Sequence, residues 1–328
     1  MSGNLKISIT TGDTDGIGLE VAQKALLTLG PMRGTHFLLW RSPKSYPKNL
    51  MRIASHFKIN SFSSPDDALK YLLSEKMTYT QLVEVVSNES PALWVERSAK
   101  WCCQKKIHGI VTGPISKTEI YRAGLKDMGH TDILKRISGV RSVFMGFLGQ
   151  SFNVVLATSH VPLSTVTSGL TPNTLLGALE AADLLRRTLA PKLRQKPIAL
   201  VGINPHAGEA GLIGREELQL FPQLIQQAQK KNIRVSPPLS PDSAFQKEQW
   251  NQFSVYLTMY HDQGLIPFKM IHKRIGGVHI SIGLPFVRTS VDHGTAKDIF
   301  GRNRANASSM EQAIRWACHF LKEGHHGI

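Results

Sequence analysis

Apolar positions along this chain fall into two alternating periods. KISIT (6–10), THFLLW (35–40) and IHGIVT (107–112) are short runs rich in β-branched or aromatic residues, the make-up of buried strands. Between them, LEVAQKALLTL (19–29), DDALKYLL (66–73) and SPALWVERSAKWCCQ (90–104) carry helical spacing. The last of these opens with Ser90 as a cap and Pro91 in the first turn. The rhythm continues with strand-like SVFMGF (142–147), NVVLAT (153–158), IALVGI (198–203), SVYLTM (254–259) and GVHISIG (277–283). Helical patterns cover 171–189, 215–231 (interrupted by Pro222) and 310–322. Such alternation predicts an α/β protein with a largely parallel sheet. There is no internal repeat and no low-complexity tether.

Three of these strands run into a histidine. NVVLATSHVP ends at His160, PIALVGINPHAGE at His206, and SVYLTMYHDQG at His261. Ligands of α/β proteins bind beyond the carboxyl ends of strands. Three imidazoles meeting there would form a divalent-metal site with open positions for substrate. The alternative is three ordinary polar strand ends.

The loop TGDTDGIGLE (11–20) tempts a nucleotide reading, but the third glycine of the dinucleotide fingerprint is missing and no GK[ST] follows. A plain strand–turn–helix corner accounts for it. In MGHTDILKR (128–136), His130 and Thr131 precede a helix whose first N–H groups suit an anion; capping by Thr131 or Asp132 is the simpler local role. LPFVRTSVDHGTAKDIFG (284–301) gathers Arg288, Thr289, Ser290, Asp292, His293, Gly294 and Thr295 after an apolar strand, which reads as a site.

Composition narrows the partners. The net charge is +15, yet Lys and Arg are scattered in pieces such as KLRQK (192–196), QKKNIR (229–234) and HKR (272–274), with no interleaved aromatic residues. That pattern suits anionic small molecules and argues against nucleic acid. Cys102, Cys103 and Cys318 form neither a disulfide framework nor a CxxC metal motif. No apolar run is long enough for a bilayer, and the N-terminus lacks a signal pattern, so a cytoplasmic protein with no membrane association is expected.

GDTDGIGLE, GPISK, GHTDIL, SHVPL, NPHAGE, YHDQG and GLPFVRTSVDHGTA, in this order, resemble the 4-hydroxythreonine-4-phosphate dehydrogenase family of pyridoxal phosphate biosynthesis. The resemblance runs nearly end to end. It implies a two-lobed, isocitrate/isopropylmalate dehydrogenase-like α/β fold with mixed, largely parallel sheets and an active site in the interlobe cleft. The expected lobes are 1–126 plus 286–328, and 127–285, the latter with the metal ligands and dimer contacts. The resemblance implies His160, His206 and His261 as ligands of one divalent ion (zinc, magnesium, cobalt or manganese). It further implies a homodimer with shared active sites, His261 coming from the partner subunit. Substrate contacts would fall on His130, Thr131, Lys269, His279 and Arg288. Asp242 and Lys117 are the candidate catalytic groups, and Asp292, His293, Gly294, Thr295 and Ala296 the cofactor loop. The implied reaction is NAD- or NADP-dependent oxidation and decarboxylation of a phosphorylated hydroxy acid, 4-phosphohydroxy-L-threonine first.

Three departures stand out: TTGDTDGIGLE for the family's TPGDPAGIGPE, GPISK for APINK, and GVHISIGLP for GVNVTLGLP. The last puts His279 in place of a substrate-facing asparagine and leaves 4-phosphothreonate and 4-phosphoerythronate as alternative substrates. From a different class, a non-catalytic metal-binding protein of the same fold is also an alternative.

Overall fold

The structure, a computed structural model, describes residues 4–44, 53–74, 80–272 and 276–328. Lys273 and Arg274 of the HKR run lie outside the described residues. In chain order the principal elements begin with β1 (Leu5–Thr10), α1 (Gly18–Leu29), β2 (Thr35–Arg41), β3 (Lys58–Phe62), α2 (Pro65–Leu73), β4 (Gln81–Val86), α3 (Pro91–Cys103), β5 (Gly109–Thr112), α4 (Lys117–Arg122) and α5 (His130–Ser138). There follow β6 (Phe144–Leu148), β7 (Val154–Leu156), α6 (Pro172–Thr188), β8 (Ile198–Val201), α7 (Glu216–Lys230), β9 (Val235–Leu239), β10 (Tyr256–Thr258), α8 (His261–His272), β11 (Val278–Ile282), β12 (Val287–Val291) and α9 (Ser308–Lys322). No helix among the described residues is long and apolar enough to cross a membrane.

The chain divides into two compact units, Met1–Val143 with Leu284–Gly327, and Phe144–Gly283 with Ile328. Both are built from separated stretches of chain, but the boundaries differ from those expected. Residues 127–143 belong to the first unit because α5 packs on α3: Ile133 and Leu134 are buried in one cluster with Trp94 and Val95. Arg136 reinforces this contact through Glu96, 3.0 Å away.

In the first unit the strand order is β3-β4-β2-β1-β5-β12, and every neighbouring pair is parallel. Its core is aromatic as well as aliphatic. Trp40 stacks on Trp94 and Trp101 at 6.2 and 5.6 Å, and its indole N–H reaches Ser8 at 3.0 Å, so the ring is buried with its polar atom satisfied. α9 packs on β12 and α1. The stretch read as a polar run after a strand is partly a strand itself. Val287–Val291 is buried throughout, since Thr289 donates to the Ala313 carbonyl and Ser290 to that of Thr112. Paired polar groups can occupy a central strand, which composition alone does not reveal.

The second unit has the order β11-β6-β7-β10-β8-β9. β6 is antiparallel to both β11 and β7, while the remaining pairs are parallel. Phe147, Phe152, Tyr256 and Phe268 centre its core. His261 opens a twelve-residue helix, α8, that the sequence did not suggest, because Gly264 and Pro267 interrupt its pattern. Gly264 is what lets the helix seat: a Cβ there would stand 2.7 Å from both Thr258 Oγ1 and Val154 Cγ1.

Candidate functional site

In the second unit, β7 and β10 lie side by side, and their exits are tied beyond the last ladder pair. Ala157 N–H donates to Thr258 O at 2.8 Å, and the Thr158 hydroxyl to Met259 O at 2.7 Å. Two residues further on, His160 and His261 face each other with ring centroids 5.3 Å apart. Asp262 lies 2.6 Å from His261 Nδ1. With a proton on Nδ1 shared with that carboxylate, Nε2 is the nitrogen presented to a ligand. Two adjacent imidazoles, one of them polarised in this way, are donors suited to zinc or another divalent transition ion.

His206 is placed differently. It lies in a tight turn where His206, Ala207, Glu209 and Ala210 all take left-handed backbone angles, with φ from 44° to 54°. Such angles cost non-glycine residues about 1–2 kcal/mol each. The turn is held by buried Glu217, which accepts the N–H groups of Ile203 and Asn204 at 2.7 Å. The Asn204 side chain adds bonds to Glu216 and Glu217. Asp242 is near enough to His206 to feel its charge; a hydrogen bond from Ser240, then this proximity, holds the Asp242 carboxyl below its ordinary pKa. Among the described residues no three histidine, cysteine or acidic groups form a ready metal cluster. The histidine rings that meet within this chain are those of His160 and His261. β10 is hydrogen-bonded to both β7 and β8, so the three exits emerge side by side. The bonds that tie the β7 and β10 exits, and the left-handed turn that carries His206, separate the pair from the third ring.

His279 lies on β11 opposite Phe147 and stacks on it at 5.1 Å, with planes 25° apart. Its ring is buried. Lys269, two turns along α8, is exposed.

In the first unit Arg288 is the main cation. It is 1% exposed, and both Nε and Nη2 point at the Thr112 hydroxyl, at 3.2 and 2.7 Å. Burial pulls its pKa down to about 9, which still leaves it charged at neutrality. The His130 imidazole nearby is held well below its ordinary range by burial and then by the Arg288 charge. His130 Nε2 is buried with no hydrogen-bond partner among the described residues. His130 is the first residue of α5, Gly129 occupies the N-cap, and Asp132 accepts the Met128 N–H at 3.0 Å. Neither Thr131 nor Asp132 is the cap, so the first turn faces outward without a capping side chain. A neutral imidazole, a buried guanidinium and an open helix start suit a phosphate or carboxylate.

The glycine loop 11–18 has a mechanical role. A Cβ on Gly18 would lie 1.6 Å from the Thr11 carbonyl oxygen, so only glycine permits α1 to start there. Asp13 accepts the Ser116 N–H at 2.8 Å and donates its own N–H to Pro114 O at 3.0 Å. Ile17 N–H donates to Thr295 O at 3.0 Å. Loops leaving β1, β5 and β12 thus interlock, bringing Thr295 and Ala296 against the turn and leaving Lys117, just after Ser116, exposed. Gly294 has open space where a side chain would be. The backbone of the 292–296 turn is therefore open to approach at Gly294, which is exposed. Asp13, Thr112 and Lys297, which contact these groups, were not singled out from sequence. Their signal lay only in sitting at strand exits.

The model of the family described as "Pyridoxal phosphate biosynthetic protein PdxA" matches residues 37–317. The chain belongs to the PdxA family. The 4-hydroxythreonine-4-phosphate dehydrogenase of a Sulfurihydrogenibium species is 35% identical over 323 residues, covering 95% of this chain and 97% of that protein. The one from Aquifex aeolicus is 35% identical over 318 residues, with the same coverage. Among solved structures, the Klebsiella pneumoniae 4-hydroxythreonine-4-phosphate dehydrogenase superposes with a TM-score of 0.75 at 26% identity, covering 97% of this chain and 98% of that one. A Methylococcus capsulatus isocitrate dehydrogenase shares the fold at a TM-score of 0.51 and 16% identity, covering 98% and 86%. The PdxA chain is thus an α/β protein of the isocitrate dehydrogenase-like class.

Proposed function

We propose that this PdxA chain oxidises and decarboxylates 4-phosphohydroxy-L-threonine, giving 3-amino-2-oxopropyl phosphate and carbon dioxide. The observation that carries this reading is the His160–His261 pair at two adjacent strand exits, in a chain matching proteins of that name over almost its whole length. Bound NAD or NADP would supply the hydride acceptor, and a divalent ion held by His160, His261 and His206 the Lewis acid. Arg288, His130, Thr131 and Lys269 bind the phosphate and carboxylate, so that the hydroxyl-bearing carbon is fixed in place. Asp242 or Lys117 takes the hydroxyl proton, and the 292–296 turn carries the dinucleotide. His279 faces the substrate from β11. Because it replaces an amide, 4-phosphothreonate and 4-phosphoerythronate belong in the same assay.

The shared homodimer site is part of this proposal. Segments bearing the three histidines also expose large apolar side chains: Leu163 is 72% exposed, Leu212 84% and Met270 75%. Such side chains at a site call for a protein cover. Since His160 and His261 come from one chain, His206 is the ligand supplied across the dimer. Coexpressed His160→Ala and His206→Ala subunits should regain activity in verified heterodimers, whereas His160→Ala with His261→Ala should not. The reverse pattern would return His261 to the crossing position.

The activity itself is tested by following NAD and NADP reduction with the three phosphorylated acids, with and without a chelator. Metal binding without turnover of any of them would favour the non-catalytic alternative.

A further inference from the structure

Lys297 lies just beyond the 292–296 turn and has no role in the function proposed above. Its ammonium stands 2.8 Å from Asp15 and 3.2 Å from Asp13. Asp15 and then Asp13 hold it above the ordinary lysine pKa. The two carboxylates differ. Asp15 is an exposed side chain, while that of Asp13 is fully buried and already accepts the Ser116 N–H through its other oxygen. One lysine therefore joins the β12 exit loop to a carboxylate that also organises the β5 exit loop. The residue before it, Ala296, is in the left-handed conformation at φ 44°, ψ 53°. A non-glycine residue keeps that conformation only when its surroundings enforce it. Ile17 N–H bonding to Thr295 O enforces it from one side and the Lys297 ion pairs from the other.

We infer that Lys297 is a positioning residue for the dinucleotide: by fastening to Asp13 and Asp15 it holds the 292–296 turn in its binding shape. The inference rests on the cofactor role proposed for that turn. It predicts a specific split. Without the latch, the turn samples other conformations and the dinucleotide must select the competent one, so affinity falls by the competent fraction. Once bound, the complex is the same, so kcat changes little.

The test measures NADH and NADPH binding by fluorescence to the whole protein, alongside hydrogen exchange of 12–18 and 292–299 in the protein without dinucleotide. Lys297→Ala should weaken binding about three- to tenfold, raise KM for the dinucleotide in step, and speed exchange in both loops. Asp15→Asn should do the same to a smaller degree, and Lys297→Arg should remain near wild type because it keeps the charge. If wild-type protein binds dinucleotide and Lys297→Ala binds it equally tightly, the latch is overturned while the cofactor role stands. If wild-type protein binds neither dinucleotide, the cofactor role falls and the inference falls with it, even if exchange in the two loops rises.

Discussion

The two units put polar chemistry at their strand exits in opposite ways. In the first, several polar groups are buried and paired before any ligand arrives, His130 Nε2 being an exception. Arg288 lies on Thr112, Ser290 on the Thr112 carbonyl, and Asp13 on Ser116. In the second, the exits present imidazoles on half-buried or exposed segments, next to apolar side chains facing solvent. The first arrangement is self-sufficient. Its donors are fixed by the fold, as anion binding requires if little ordering is to occur on association. Among the described residues, the second leaves apolar side chains such as Leu163, Leu212 and Met270 facing solvent beside the imidazoles.

Variants can break this contrast, starting with the largest effect. His261→Ala should lower turnover by more than about a hundredfold, the upper range for groups that only support metal ligands, and reduce metal content in proportion. Its melting temperature should stay close to wild type, because a partly exposed ring at a strand exit contributes little core. Full turnover with unchanged metal content would remove His261 from the site. Gly18→Ala attacks the self-sufficient unit. The new methyl meets the Thr11 carbonyl oxygen, and a stability loss of about 3 kcal/mol should show in denaturant unfolding. A neutral result would mean that the 11–18 turn is not constrained as its contacts require.

A third variant, Arg288→Lys, keeps the charge but loses the planar fork. It should weaken substrate use about tenfold, the worth of one lost charge-assisted hydrogen bond, with metal content unchanged. Wild-type kinetics would exclude Arg288 from the substrate.

The mildest test uses pH. His130, His36 and His108, all in the first unit, have pKa values lowered chiefly by burial. Above the ordinary histidine value of 6.5 the folded and unfolded chains are both neutral at these positions. As pH falls through 6.5, the unfolded chain takes up protons that the folded one refuses, so stability must decline. Melting temperatures between pH 7.5 and 5.5, roughly one unit either side of that value, should fall, and less steeply in His130→Asn. Identical slopes would show that His130 does not contribute.

Local sequence by itself determined a good deal of this protein. Alternating apolar periods marked most helices and strands, because each period reflects which face of an element must be buried. His160, His206 and His261 were legible as candidates because each follows an apolar strand. The same pattern could not show which two of them meet. That was decided by the tertiary structure: β10 pairs with both β7 and β8 across residues far apart in the chain, which no local period encodes, and the segments beyond the strands bring the His160 and His261 rings together. Val287–Val291 was hidden for a related reason, since its Arg, Thr and Ser residues become strand-compatible only beside Thr112 and Ala313. α8 was obscured by Gly264 and Pro267, and the glycine proves necessary only once the helix lies on Thr258 and Val154. Asp13 and Lys297 carry no local mark at all, because their meaning is a distance, and the fold alone brings residues so far apart in the chain to 3.2 Å.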